Sequence, residues 1–141
     1  MLVDLESLTV KGVVDWDMCT LGNPLYELAI LLLYWGNKDD PSVYDILTRM
    51  PFEADGWMPR REVIKTYLEQ VPFELSENEL RFYVILALYR SPVVLAQLQR
   101  HYTQGIMKST SFTQADLEKT RVSVPKILRH TQSLLAGSLS W

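Results

Sequence analysis

Hydrophobic and polar positions divide the chain into a short β-type beginning and a longer helical remainder. Leu2-Val3 and Thr9 to Val14 are short apolar or β-branched runs separated by the polar turn Asp4 to Leu8, a pattern that predicts a hairpin. Two strands alone are marginal in water, so this hairpin is expected to pack on something else. Residues from Pro24 to about Trp35 are apolar nearly all round with Glu27 the sole charge, which predicts a helix buried on most faces. Asn23 fits its N-cap, and Pro24 suits the first position, where a missing N–H costs nothing. Gly36-Asn37-Lys38 stops it.

Asp40 and Pro41 open a second helix, expected to run to roughly Arg49, and residues 50 to 58 read as a loop holding Pro51 and Gly56. A third helix is predicted from Pro59 to about Gln70, with Val63, Ile64, Tyr67 and Leu68 on one face. Ser76 and Glu79 have capping-box spacing, and behind them a long helical stretch reaches about Gln104 and ends at Gly105. Its inner face is expected to carry Leu80, Tyr83, Val84, Ala87, Leu88, Leu95, Leu98 and Tyr102, with a kink or break near Ser91 because Pro92 removes a backbone donor. The last helix is placed from after Thr113 to Ala136, with Pro125 in its middle and Gly137 at its end. The fold class is therefore mainly α: an N-terminal β-hairpin and about five helices, read as a single domain over residues 1–141. That length is enough to bury a core.

Composition narrows the functional classes. Hydrophobic residues make up 48% and charged residues 22%, which excludes global disorder. The formal net charge of −3 and the lack of a basic stripe argue against nucleic acid as a partner, because phosphate binding is driven by Lys and Arg. Cys19 is the only cysteine, so no intrachain disulfide forms and a reducing cytoplasmic setting is expected. With no His, Arg or Lys beside it, Cys19 is read as a small buried hydrophobe. No cationic-then-apolar leader is visible, and the longest apolar run, Leu28 to Trp35, is too short to span a bilayer, so no membrane association is expected.

Candidate chemistry centres on Gly12-Val13-Val14-Asp15-Trp16-Asp17 and the turn into Pro24. A short buried strand is expected to deliver Asp15 to its end. In an extended segment residues two apart share a side, so Asp15 and Asp17 can face one cation. Mg²⁺ suits such a site, since it takes one or two carboxylates and fills the rest with water and phosphate oxygens. Spacing leaves a plain structural alternative open, in which Asp17 caps a turn and Asp15 accepts backbone hydrogen bonds. His101 and His130 sit in no metal-ligand spacing, and no Gly-rich phosphate loop or nucleophile elbow occurs. Trp16, Trp35, Trp57 and Trp141 are read as packing residues.

The run Val10-Lys11-Gly12-Val13-Val14-Asp15-Trp16-Asp17, followed by Leu21-Gly22-Asn23-Pro24-Leu25-Tyr26-Glu27-Leu28-Ala29, resembles the aminoglycoside phosphotransferase family of small-molecule kinases. The branch it looks most like is the acyl-CoA-dehydrogenase-associated one, and the helices around Arg61 to Tyr67 and Phe82 to Arg90 are similar to that branch too. The resemblance implies the C-terminal lobe of a protein-kinase-like fold. It gives Asp15 the role of the Mg²⁺-holding Asp against the nucleotide β- and γ-phosphates, with Asp17 at the adjacent acidic position. Asn23 and Glu27 stand where the family usually has Asp, and Glu27 falls at a position expected to brace the metal loop. The family's His-Gly-Asp segment, with an Asn five residues after the Asp, is not found in the 141 residues. The catalytic Asp, its Asn partner and the nucleotide-gripping lobe are therefore expected upstream of Met1. The resemblance implies a parent that uses ATP and Mg²⁺ to phosphorylate a small-molecule hydroxyl. This chain alone is expected to be inactive, to bind neither cofactor tightly, and to self-associate through exposed lobe surface; the alternative is a free-standing helical binding or interaction module.

Overall fold

The computed structural model describes residues 1–17, 19–45, 47, 51–72, 74–106 and 113–137. Strands β1 (Leu2–Val3) and β2 (Val10–Gly12) pair antiparallel, Leu2 opposite Gly12 and Val3 opposite Val10, with a bulge between the two pairs. The turn is built by Asp4, whose carboxylate accepts the N–H groups of Glu6 and Ser7, while its own N–H donates to the Thr9 carbonyl. These local hydrogen bonds, led by the one from Ser7, hold the Asp4 carboxyl below its ordinary pKa.

Helix α1 (Pro24–Tyr34) follows, then a single 3₁₀ turn at Ser42–Tyr44, α2 (Arg60–Leu68), α3 (Glu77–Thr103) and α4 (Gln114–Leu135). The predicted helix from Pro41 is thus one 3₁₀ turn among the described residues, and its positions 46, 48 and 49 lie outside them. Pro41 fixes the entry, but the capping contacts of Asp40 go elsewhere: its carboxylate accepts the Asn37 N–H and pairs with Arg60.

α3 is the central element. It packs on α1 along one side and on α4 along another, and α4 also meets the Ser42–Tyr44 turn. Leu80, Val84, Ala87, Leu88 and Pro92 are its buried positions, and Tyr83 and Leu95 pack beside them. Of the kink or break expected near Ser91, the break is absent: α3 runs continuously for 27 residues with Pro92 inside it. Pro92 is itself buried, and the preceding Ser91 hydroxyl donates to the Ala87 carbonyl, tying the turn that the proline weakens. Both long helices start with complete capping boxes, Ser76 with Glu79 and Thr113 with Asp116. At the far end of α4 the Leu134 carbonyl accepts the Gly137 N–H and a second hydrogen bond from Arg81 of α3.

By length and composition α3 is apolar enough to cross a membrane. In this fold its buried face is covered by α1 and α4, while Phe82, Leu86, Tyr89 and Val93 line an uncovered stripe. α1 buries Leu25, Leu28, Ala29, Leu32 and Leu33 and leaves Leu31 and Tyr34 outside. The hairpin is the surprise. Leu2, Val3, Val10, Val13 and Val14 are all exposed, so the strand expected to be buried before Asp15 is solvated instead. Its apolar side chains have no helix laid across them.

Candidate functional site

β2 ends at Gly12, and the chain reaches Asp15 through two exposed valines. Asp15 has a φ of +73°, in the left-handed region that short polar residues tolerate better than branched ones. That conformation interrupts the extended run from which a shared face for Asp15 and Asp17 was expected. Asp17 instead lies in a turn closed by the Cys19 N–H to the Trp16 carbonyl at 3.0 Å. The Trp16 indole folds back and donates to the Val13 carbonyl at 2.9 Å, fixing the loop around Asp15. Cys19 is exposed rather than buried, because the loop that carries it does not pack on the core.

Both carboxylates are exposed, and neither accepts a hydrogen bond or pairs with a cation among the described residues. The structural alternative required Asp15 to accept backbone N–H groups and Asp17 to cap; those bonds are not made by the described residues. No group of three or more His, Cys, Asp or Glu converges among the described residues, so the loop is no protein cage for a metal. One or two carboxylates open to solvent do fit Mg²⁺ carried on a phosphate ligand, since that ion keeps waters and phosphate oxygens in its shell.

The start of α1 fixes this loop to the helical body. Asn23 accepts the Leu25 N–H at 2.8 Å, an N-cap bond, and its amide donates to the Tyr83 hydroxyl of α3 at 2.8 Å. An Asp at this position would cap equally well but has no N–H to give Tyr83. Asn23 thus ties the start of α1 to α3 through Tyr83. Glu27 points to solvent and makes no bond with a described residue, so the expected brace on the metal loop is not formed.

A second site, which sequence reasoning missed, lies at the other end of α1. An open cleft of about 690 Å³ is bounded by Leu32 and Leu33 of α1, the 37–41 turn, Trp57, and Arg60 and Arg61 at the start of α2. Its frame is a strut. Arg60 makes a bidentate pair with Asp40, 2.6 Å at each oxygen, and its Nε donates to the Leu32 carbonyl at 2.8 Å. Both side chains are about 15% exposed (14% and 15%). The Arg60 guanidinium also lies 5.3 Å from the centre of the Tyr44 ring. Tyr44 is buried and shares a hydrogen bond of 3.3 Å with His130 Nε2 of α4. Burial raises the Tyr44 pKa, with Asp40 adding and Arg60 opposing, and burial lowers that of His130. Trp57 stacks on Trp35, ring centres 4.5 Å apart, and the two indole N–H groups are bound to the Gly36 and Met58 carbonyls. His101 is exposed and His130 half-buried, as read from the sequence.

Comparison with known families now bears on the first site. The model of the phosphotransferase enzyme family matches residues 1–63, a span that holds the hairpin, the Asp15 loop, α1 and the beginning of α2. Over those residues the resemblance to the phosphotransferase family is borne out. No curated protein and no solved structure matches the chain.

Proposed function

We propose that this chain is the C-terminal helical lobe of an ATP-dependent small-molecule phosphotransferase, in which Asp15 holds Mg²⁺ on the nucleotide phosphates. The observation that carries this is an exposed, unpartnered Asp15 carboxylate inside the stretch that matches the phosphotransferase family. Bound there, Mg²⁺ would neutralise charge developing on the transferred phosphoryl group. The protein's own contribution is positional. The left-handed turn at Asp15 presents the carboxylate outward, the Trp16 indole fixes the loop, and Asn23 anchors it to α3. Asp17, exposed in the turn that follows, is the candidate second oxygen donor in this reading. The side chain that orients the acceptor hydroxyl, the partner Asn and the nucleotide-gripping lobe are assigned to a preceding segment of a longer, cytoplasmic protein.

Phosphoryl transfer rests almost wholly on positioning by those parts, so the 141-residue chain by itself is inactive in this reading. Steady-state assay of the purified chain with ATP, Mg²⁺ and a panel of small hydroxyl compounds should give no turnover. Rates of roughly 1–100 s⁻¹, typical of kinases, would overturn it. The coding sequence before Met1 supplies the decisive check: an in-frame His-Gly-Asp segment with Asn five residues after its Asp is expected.

A second reading is favoured by the uncovered apolar residues of the hairpin and α3. In it the chain is a free-standing helical interaction module that kept the lobe and lost the chemistry. An upstream stop codon in frame, together with a stable purified chain, would favour this module over the lobe.

A further inference from the structure

The Arg60 cleft lies apart from the Asp15 loop. Asp15 leads into the N-terminus of α1, whereas Leu32, Leu33 and Asn37 of the cleft sit at or beyond its C-terminal turn. Eleven helical residues separate the two ends by about 16 Å at 1.5 Å per residue. No residue of the Asp15 loop lines the cleft.

Its size is in the range of small-molecule pockets, and its polar lining includes the cations Lys38, Arg60 and Arg61. A guanidinium has five N–H groups; Asp40 and Leu32 occupy three of those on Arg60, leaving two without a partner among the described residues. Lys38 and Arg61 line the cleft and make no ion pair with a described residue. Among the described residues of the lining, three cations, Lys38, Arg60 and Arg61, face two carboxylates, Asp39 and Asp40, a net charge of one positive. His130 adds none near neutral pH, because burial lowers its pKa. The apolar wall is aromatic. Trp35 covers one face of Trp57 and is not itself in the lining, so the cleft meets the remaining face or edge of an indole already locked by its hydrogen bond to Gly36.

We infer that this cleft binds a planar aromatic monocarboxylate. One negative charge answers the net charge of the lining, the carboxylate oxygens accept from the spare N–H groups of Arg60 with Lys38 and Arg61 at the rim, and the ring lies along Trp57. The strut makes the site preorganised: Arg60 cannot swing away without abandoning Asp40 and the Leu32 carbonyl.

Naphthoate is the probe, titrated calorimetrically into the full chain. Saturable binding of one equivalent is expected. The double substitution Lys38→Glu with Arg61→Glu should weaken it by about tenfold or more, the worth of one charge-assisted hydrogen bond. Both side chains are at the surface, so retention of the wild-type circular dichroism is expected. Naphthylmethanol, which keeps the ring and lacks the charge, and cyclohexanecarboxylate, which keeps the charge and lacks the ring, should each bind about tenfold more weakly. Asp15→Asn should leave naphthoate binding unchanged. Non-saturable binding, equal affinity for either control compound, wild-type affinity in the folded double variant, or weakening by Asp15→Asn would each overturn the assignment. None of those results touches the phosphotransferase reading, whose test is at Asp15 and upstream of Met1.

Discussion

Asp15 and Arg60 stand at opposite extremes of what a charged residue can do in a fold. Asp15 is exposed and unpartnered among the described residues, so Asp15→Asn should change unfolding free energy by less than about 0.5 kcal/mol in urea titration. A cost of several times that would mean the carboxylate is structural after all. Arg60 is the reverse case, paired and largely buried. Arg60→Ala leaves the Asp40 carboxylate without its cation and the Leu32 carbonyl without its donor, and should cost about 3 kcal/mol in the same titration. Lysine is no substitute there, because its single ammonium cannot span two carboxylate oxygens and a backbone carbonyl at once. His130 gives a pH signature. Burial lowers its folded pKa below the unfolded value, so the unfolded chain binds the extra proton first, and stability falls as pH drops through about 6.5 toward the folded pKa. His130→Phe should flatten the part of the Tm-versus-pH curve below pH 6.5 relative to the parent chain.

At the scale of elements, capping residues explain why the two long helices begin where they do. Ser76→Ala or Thr113→Ala removes a reciprocal cap and should cost about 1 kcal/mol each by chemical denaturation. These boundaries were readable from the sequence because a capping box is a local chemical statement: the partners are three residues apart. The apolar face of α3 was readable for a similar reason, through periodicity. What was not readable depended on distant partners. Asp40 looked like a helix cap, but Arg60, twenty residues on, takes its carboxylate. The valines before Asp15 looked buried because β-branched runs usually are, yet no described element covers them. Pro92 looked like a kink or a break, and the helix does not break there, because burial of Pro92 outweighs one lost backbone bond. The Asp15 motif was legible through resemblance to a family, whereas the cleft was not, since its walls come from four separated stretches of chain.

For the molecule as a whole, the division of labour along the chain is uneven. One core, built on α1, α3 and α4, holds the helical body, while the first 21 residues place Leu2, Val3, Leu5, Leu8, Val10, Val13, Val14, Trp16 and Leu21 in water. Apolar surface concentrated in this way promotes association. Sedimentation velocity should therefore show mass rising with concentration, and Leu5→Lys with Leu21→Lys should lower it toward the monomer. A chain that stays monomeric at all concentrations would argue against self-association through the hairpin. The helical body should survive either way, because the core makes no use of those side chains.

The stacked pair of Trp35 and Trp57 has an optical consequence. Two indoles 4.5 Å apart and inclined by 27° share their electronic excitations, so their circular dichroism carries a couplet that neither ring gives alone. Trp35 belongs to the end of α1 and Trp57 to the loop before α2, and the couplet vanishes when those segments part. The chain thus has a built-in gauge of whether its Arg60 wall is assembled, readable without a label.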